Sequence, residues 1–208
     1  MEFKNHKIIT NFINNEETHS ILEWVKSLKH VHNCDNNHIK EIRKNLNGNS
    51  YMFDTSNTSL TNKITSFQSG NDVINSELPQ IFLDLIDRIS DTISIPKNNV
   101  FLQILDMEKG GKINPHYDTA INGYITYKCN ISVISHDYTL NVDKEIFNIQ
   151  QSDLYCFEAS LYKHWTEKEF NSKRILLSYG FIIPYNMLGR TEDDYRVRLS
   201  KRIEKYFQ

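Results

Sequence analysis

At residue 99 the apolar residues of this chain change period, and that change limits the fold more than any other feature. Upstream, apolar positions recur at helical spacing. Downstream, "NNVFLQILDM", "YITYKCNISVIS", "DYTLNV", "EIFNI", "SDLYCFEA" and "RILLSYGFIIP" succeed one another as short runs rich in β-branched and aromatic residues. Asn, Gly, Asp and Ser punctuate them, so residues 99–184 read as an all-β unit.

The upstream half reads as support for that unit. "HKIITNFI" (6–13) reads as a short strand. "NNEETHSILEWVKSLKH" (14–30) reads as a helix with Asn14 or Asn15 as cap, Glu16 and Glu17 in the first turn, and Ile21, Leu22, Val25 and Leu28 along one face. "ELPQIFLDLIDRISDTISIP" (77–96) is the clearest helix: Leu78, Phe82, Leu85, Ile89 and Ile93 fall at helical spacing and Pro96 closes it. Residues 31–76 are rich in Asn, Ser and Thr with scattered aromatics (Tyr51, Phe53, Phe67), the pattern of loops and short extended pieces acting as a lid. "TEDDYRVRLSKRIEKYF" returns to helix with Thr191 as its cap, and its basic run is a solvated face. Helices preceding many irregularly spaced strands predict a mainly β fold: a double-stranded β-helix (jelly-roll) core with an N-terminal helical buttress. With no repeat and no interdomain linker, residues 1–208 are expected to form a single domain. Residues 1–98 would be its helical support and lid, 99–184 its core and 185–208 its C-terminal helix.

Composition narrows the class. A chain of 208 residues can bury a sizeable core without disulfides or structural metals. A net charge of −2 supplies no basic field of the kind that draws proteins to phosphate backbones. Cys34, Cys129 and Cys156 are odd in number and lack CxxC spacing, so free thiols in a reducing compartment are expected. Neither a cleavable leader nor a membrane-length apolar run is evident, which predicts a soluble, cytoplasmic protein. "HVHNCDNNH" gathers His30, His32, Cys34 and His38, but at spacings that fit no closed zinc site.

The chemistry is concentrated in "GGKINPHYDTAING" (110–123), where His116 and Asp118 stand two apart after a Gly-Gly turn. With 8 His and 26 acidic residues in 208 positions, about one such pair arises by chance, so a third ligand must be found. His164 lies just past the "DLYCF" strand, and Arg174, ten residues on, opens the next strand. Along that strand Ile175, Leu177, Tyr179 and Phe181 alternate with Arg174, Leu176, Ser178 and Gly180, which places Arg174 and Ser178 on the more polar face. If His116, Asp118 and His164 meet, two imidazoles and one carboxylate hold an ion and leave coordination positions open, the set typical of non-heme Fe(II) oxygenases. An inward Arg174 would then grip the far carboxylate of a dicarboxylic co-substrate. Tyr117 and Trp165 flank two of the ligands, placed either to line a substrate pocket or to fill the core.

These motifs and their order resemble the Fe(II)/2-oxoglutarate-dependent dioxygenases, especially the small prolyl-hydroxylase-like branch. The resemblance spans residues 100–184: a strand, the Gly-Gly turn, "PHYD", several strands, "SDLYCF", a distal His and a basic residue ten positions later. More weakly, "KIITNFINNEETHSILEW" is similar to the strand and helix that precede the core in that branch. The resemblance implies Fe(II) held by His116, Asp118 and His164, and 2-oxoglutarate held by Arg174 with hydroxyl or amide help. Candidates for that help are Ser178, Asn130, Ser132 and Gln103. One position departs from the pattern: many relatives carry a Tyr nine residues before the first ligand, and here it is Met107.

The activity implied by the resemblance is hydroxylation of an unactivated C–H bond by O2, with release of succinate and CO2. The expected substrate is an amino acid, a peptide or a peptidyl side chain. Relatives that halogenate lack the carboxylate ligand, and Asp118 retains it. An alternative is a nucleic-acid-acting oxidative demethylase, although that group carries a second downstream Arg and residues 175–183 contain none. A non-catalytic metal-binding jelly roll or a zinc hydrolase is the third class.

Overall fold

A computed structural model describes residues 6–28, 47–56, 72–73, 78–118, 123–135 and 138–191. The chain opens with β1 (His6–Ile9) and α1 (Asn15–Ser27). Of the two asparagines at this helix start, Asn14 is the cap: its side chain accepts from Glu17 N at 2.9 Å and Glu17 Oε2 accepts from Asn14 N at 2.9 Å. The reciprocal pair satisfies two backbone donors that the first turn leaves open. β2 (Gly48–Asp54) and β3 (Asp72–Val73) come next, then α2 (Gln80–Ile93). Helix α2 stops where Ser94 turns left-handed (φ 56°), two residues before the proline that bars its continuation. The β half comprises β4 (Val100–Met107), β5 (Tyr124–Ile134), β6 (Tyr138–Val142), β7 (Glu145–Ile149), β8 (Leu154–Glu158), β9 (His164–Thr166) and β10 (Arg174–Pro184).

Two sheets result. The larger has the order β1-β8-β5-β10-β4-β2-β3 and the smaller β7-β6-β9, an antiparallel jelly-roll arrangement except where β2 and β3 run parallel. The expected fold class is therefore observed. β2 is a difference: it lies in the stretch read as loops and short extended pieces, yet all seven of its residues pair with β4. Of the region 31–76, residues 31–46, 57–71 and 74–76 lie outside the described residues, as do the His30/His32/Cys34/His38 group and the helix expected after Thr191. Beyond β10 the chain makes a 3-10 turn, Tyr185–Leu188. Arg190 then grips Glu158 with two hydrogen bonds of 3.2 and 3.0 Å, which offsets the charge of a carboxylate with no exposure of its own. Among the described residues no helix is long and apolar enough to cross a membrane.

The pleat divides β10 as its alternation predicts. Tyr179 and its partners face the helices: the Tyr179 hydroxyl donates to Phe82 O at 3.2 Å, and Trp24 of α1 packs on Phe53 and Phe82. Cys129 and Cys156 stand opposite one another in the β5–β8 register as buried free thiols, and burial holds the Cys129 thiol well above its usual range. The inner face carries the polar set Ser50, Gln103, Lys128, Ser178 and Arg174. Here Gly180 has a specific purpose, because a Cβ at that position would fall 2.1 Å from Cζ of Phe101. The Phe101 ring, thus accommodated, lies 4.7 Å beneath the Lys128 ammonium.

Gly180→Ala is therefore expected to destabilise the fold by overpacking, by about 1–3 kcal/mol. A lowered urea midpoint with an unchanged slope would register it; a midpoint equal to the parent's would show that the Phe101 ring gives way freely.

Candidate metal centre

His116 and His164 are neighbours because their backbones pair. His116 N donates to His164 O at 3.2 Å and His164 N donates to His116 O at 3.0 Å, which adds residue 116 to the edge of the smaller sheet beside β9. Residues directly opposite on adjacent strands point their side chains the same way. The two rings accordingly stand 4.2 Å apart. The approach of this segment is fixed on both sides. Gly110, at φ 90°, turns the chain after β4, and Gly110, Gly111 and Ile113 exchange backbone hydrogen bonds with Phe170 and Thr166. Asp118 N donates to Ala159 O at 3.0 Å. The ligands come from segments far apart in the chain, and the ladder aligns them.

The donor atoms converge. Asp118 Oδ1 lies 3.3 Å from His116 Nε2 and 3.5 Å from His164 Nε2, and all three donors fall within 4.8 Å of one another. Each imidazole is oriented by its other nitrogen: His116 Nδ1 meets Asn114 O at 2.7 Å and His164 Nδ1 meets Tyr162 O at 3.1 Å. A carbonyl only accepts, so both Nδ1 atoms carry a proton, and it is Nε2 of each ring that faces Asp118 and is placed to ligate an ion on shedding any proton of its own. That backbone support is the usual mark of a metal-ligating histidine. The electrostatics match. Burial works against the Asp118 charge, but Lys128 and the two histidines outweigh it and hold the carboxyl well below its usual range. Burial and the neighbouring His116 lower His164. His116 is also pulled down by burial, but the Asp118 carboxylate prevails and raises it. A pre-ionised carboxylate and two correctly tautomerised imidazoles fit a divalent ion with open positions.

The structure puts Arg174 1% exposed at the start of β10, opposite Met107. Its guanidinium lies 4.0 Å over the Tyr138 ring and 4.6 Å over that of Phe170. Nη2 donates to the Tyr138 hydroxyl and, at 3.0 Å, to the Tyr155 hydroxyl. Nη1 and Nε, both buried, have no hydrogen-bond partner among the described residues. A desolvated cation with unused donors is costly unless an anion completes it. A cavity of about 310 Å³ opens here, lined by Ser135, Tyr138, Thr166, Phe170 and Arg174 among others. On the side toward the metal ligands, Tyr155 lies parallel to Phe157, whose edge contacts His164 at 4.8 Å.

The other expected residues surround these two centres. Ser178 and Gln103 direct their polar atoms to Lys128, at 3.1 and 3.3 Å. Ser132 shares a hydrogen bond of 2.7 Å with Ser135. Asn130, opposite Tyr155 in register, is buried with Oδ1 unpartnered among the described residues. Tyr117 and Trp165 are both partly buried. Sequence reasoning missed three residues: Tyr138, Tyr155 and Lys128. The first two sit in the quoted runs "DYTLNV" and "SDLYCF", and pairing Tyr155 across to Asn130 would have aimed it inward.

The topology and the triad together define a double-stranded β-helix fold with a facial His-Asp-His set. No family model matches the sequence, and no curated protein matches it at significance. Solved structures do match at the level of fold. The viral collagen prolyl hydroxylase of Paramecium Bursaria Chlorella virus-1, in complex with 2-oxoglutarate, is similar with a TM-score of 0.55 and 9% identity, over 86% of this chain and 97% of that one. HygX from Streptomyces hygroscopicus, with nickel and 2-oxoglutarate bound, gives 0.54 at 10% identity over 88% and 83%. A prolyl 4-hydroxylase from Phytophthora capsici gives 0.54 at 12% identity over 95% and 70%. The chain therefore shares the fold of the prolyl-hydroxylase-like 2-oxoglutarate oxygenases.

If the three side chains hold one ion, purified protein will take up one equivalent of Fe(II) or Mn(II) in an anaerobic calorimetric titration, and Asp118→Ala will lose most of that affinity. Tight stoichiometric uptake by a His116→Ala/His164→Ala double variant is the result that contradicts the assignment.

Proposed function

We propose that this protein is an Fe(II)- and 2-oxoglutarate-dependent dioxygenase that hydroxylates an unactivated C–H bond of an amino acid, a peptide or a peptidyl side chain. The observation that carries the reading is the convergence of His116 Nε2, His164 Nε2 and Asp118 Oδ1 within a fold shared with such enzymes. His116, Asp118 and His164 would hold the metal. Arg174 would hold the distal carboxylate of 2-oxoglutarate, using the donors that have no partner among the described residues. When bound, the metal and co-substrate supply the oxidation of the C–H bond by O2, with 2-oxoglutarate decarboxylated to succinate and CO2.

The chain's own residues do the rest. Tyr138 and Phe170, whose rings stand at 85° to each other, border the guanidinium at 4.0 and 4.6 Å and help fix its position, with Nε and Nη1 left to meet a carboxylate. The hydroxyls of Tyr138 and Tyr155, 3.0 Å from each other, border the same spot. Burial holds the Tyr138 phenol well above its usual range, even though Arg174 opposes that rise, so it remains a neutral donor near an anion. Leu176 and Phe157 exclude water from the interior. For substrate class the support is the neighbouring fold: a prolyl hydroxylase from Trichoplax adhaerens, TM-score 0.51 at 10% identity, is solved in complex with a peptide fragment of hypoxia inducible factor.

Two measurements test this. With amino acids and peptides supplied as the C–H substrate, succinate must form in a manner dependent on Fe(II), 2-oxoglutarate and O2, and its absence across such a panel would count against the oxygenase reading. Anaerobic Fe(II) protein titrated with 2-oxoglutarate should develop a metal-to-ligand charge-transfer band. In Arg174→Leu the same titration should shift far to the right, because breaking a desolvated charge pair costs on the order of 2–5 kcal/mol, roughly thirty- to several-thousand-fold in affinity. Arg174→Lys should fall between the two, since it keeps the charge and loses the planar fork. If Arg174→Leu titrates like the parent, another cation holds the acid.

A further inference from the structure

We propose that Lys128 is a positioning residue that holds one oxygen of Asp118 away from the metal, so that the carboxylate binds through Oδ1 alone. This role rests on the metal-binding reading and adds to it a residue outside the ligand set. Lys128 lies on β5 and is 4% exposed. Its Nζ is 3.5 Å from Asp118 Oδ2, 3.1 Å from Ser178 Oγ and 3.3 Å from Gln103 Oε1. Ser178 is on β10 and Gln103 on β4, and Gln103 is itself held by donating to Ser50 Oγ at 3.0 Å. Two acceptors from separate strands thus take donors of the ammonium, and its charge is left facing the Asp118 carboxylate. The ring of Phe101 lies against it at 4.7 Å, in the space that Gly180 leaves open.

The two oxygens of Asp118 consequently face different charges. Oδ1 lies between the imidazole nitrogens, at 3.3 and 3.5 Å. Oδ2 is buried and makes no hydrogen bond among the described residues, and the ammonium 3.5 Å away is its counter-charge. A carboxylate free to rotate can chelate a dication with both oxygens and so take an additional position. In a two-histidine, one-carboxylate site each open position is needed: a chelating co-substrate occupies two, and O2 needs another. An ammonium that draws Oδ2 backwards preserves that last position. It also places a positive charge beside a dication, which weakens metal binding. A residue that only supported the fold would do neither.

The two roles separate with Mn(II) alone, without turnover. In Lys128→Met, which keeps length and apolar volume but loses the charge, the Mn(II) complex should hold one fewer metal-bound water by water-proton relaxivity, and Mn(II) affinity should rise severalfold. Lys128→Gln, neutral and shorter, should show the same two changes and guards against a folding defect peculiar to Met. Lys128→Met with parent relaxivity, or with weakened Mn(II) binding in a folded protein, overturns the positioning role while leaving the ligand set intact. Failure of the parent to bind Mn(II) would instead remove the metal-centre reading and this role with it.

Discussion

The backbone pair between residues 116 and 164 carries the site. It is one rung of an antiparallel ladder, formed outside any longer strand by the segment that leaves the Gly110–Gly111 turn, and it is the element that brings two imidazoles from distant parts of the chain to 4.2 Å. The rung is rigid because its surroundings are laddered too: Ile113 bonds Thr166 through both backbone and hydroxyl, and Asp118 is tied to Ala159. A metal site assembled on loops would need its geometry enforced by the ion. The His116–His164 pair takes its geometry from the edge of a sheet, so the cost of ordering these two side chains is met largely during folding.

The second constraint is charge. Among the described residues two cations are buried, Arg174 and Lys128, and of the two the carboxylate of Asp118 faces only the latter. Burial lowers Lys128, but the adjacent carboxylate opposes that loss of charge. Arg174 has no comparable counter-charge among the described ion pairs. It has aromatic faces and two hydroxyls, which lessen desolvation without neutralising a full charge. A folded protein tolerates that deficit where an anionic ligand removes it. The two cations are therefore not equivalent: Lys128 faces a carboxylate of the chain, and Arg174 has none among the described residues.

This difference also explains what could be read in advance. His116, Asp118 and Arg174 were legible because local spacing reports them: two residues apart after a glycine turn, and one polar position on an alternating strand. His164 required strand order, which "SDLYCF" supplied. Lys128 was not legible, since "YKCNISV" reads as an ordinary strand. Only the register that places Lys128 opposite Gly180, one step from Ser178 opposite Asn130, turns its ammonium into the interior. β2 was missed for a related reason. Gly48, Asn49 and Ser50 are poor strand formers, and the pairing with β4 that overrides their propensity is a tertiary effect. Ser178 was located on the correct face and Gln103 on the preceding strand, but the competing demand of a buried ammonium could not be seen from their spacing.

Met107 shows how such a site can shift its parts without losing its logic. It pairs directly with Arg174 across β4 and β10 and is fully buried, so a tyrosine there would reach the guanidinium from the large sheet. With a thioether at that position no hydroxyl comes from β4. The hydroxyls come instead from Tyr155 on β8 and Tyr138 on β6, the latter from the opposite sheet, and the Tyr138 ring also covers the face of the cation. One aromatic residue thus serves both as hydrogen-bond partner and as lid to the charge, and it does so from the first position of its strand. The groups around the guanidinium are thus drawn from both sheets rather than from one, and the contacts of Tyr155 with Tyr138 and of Phe157 with His164 tie the two sheets together beside it.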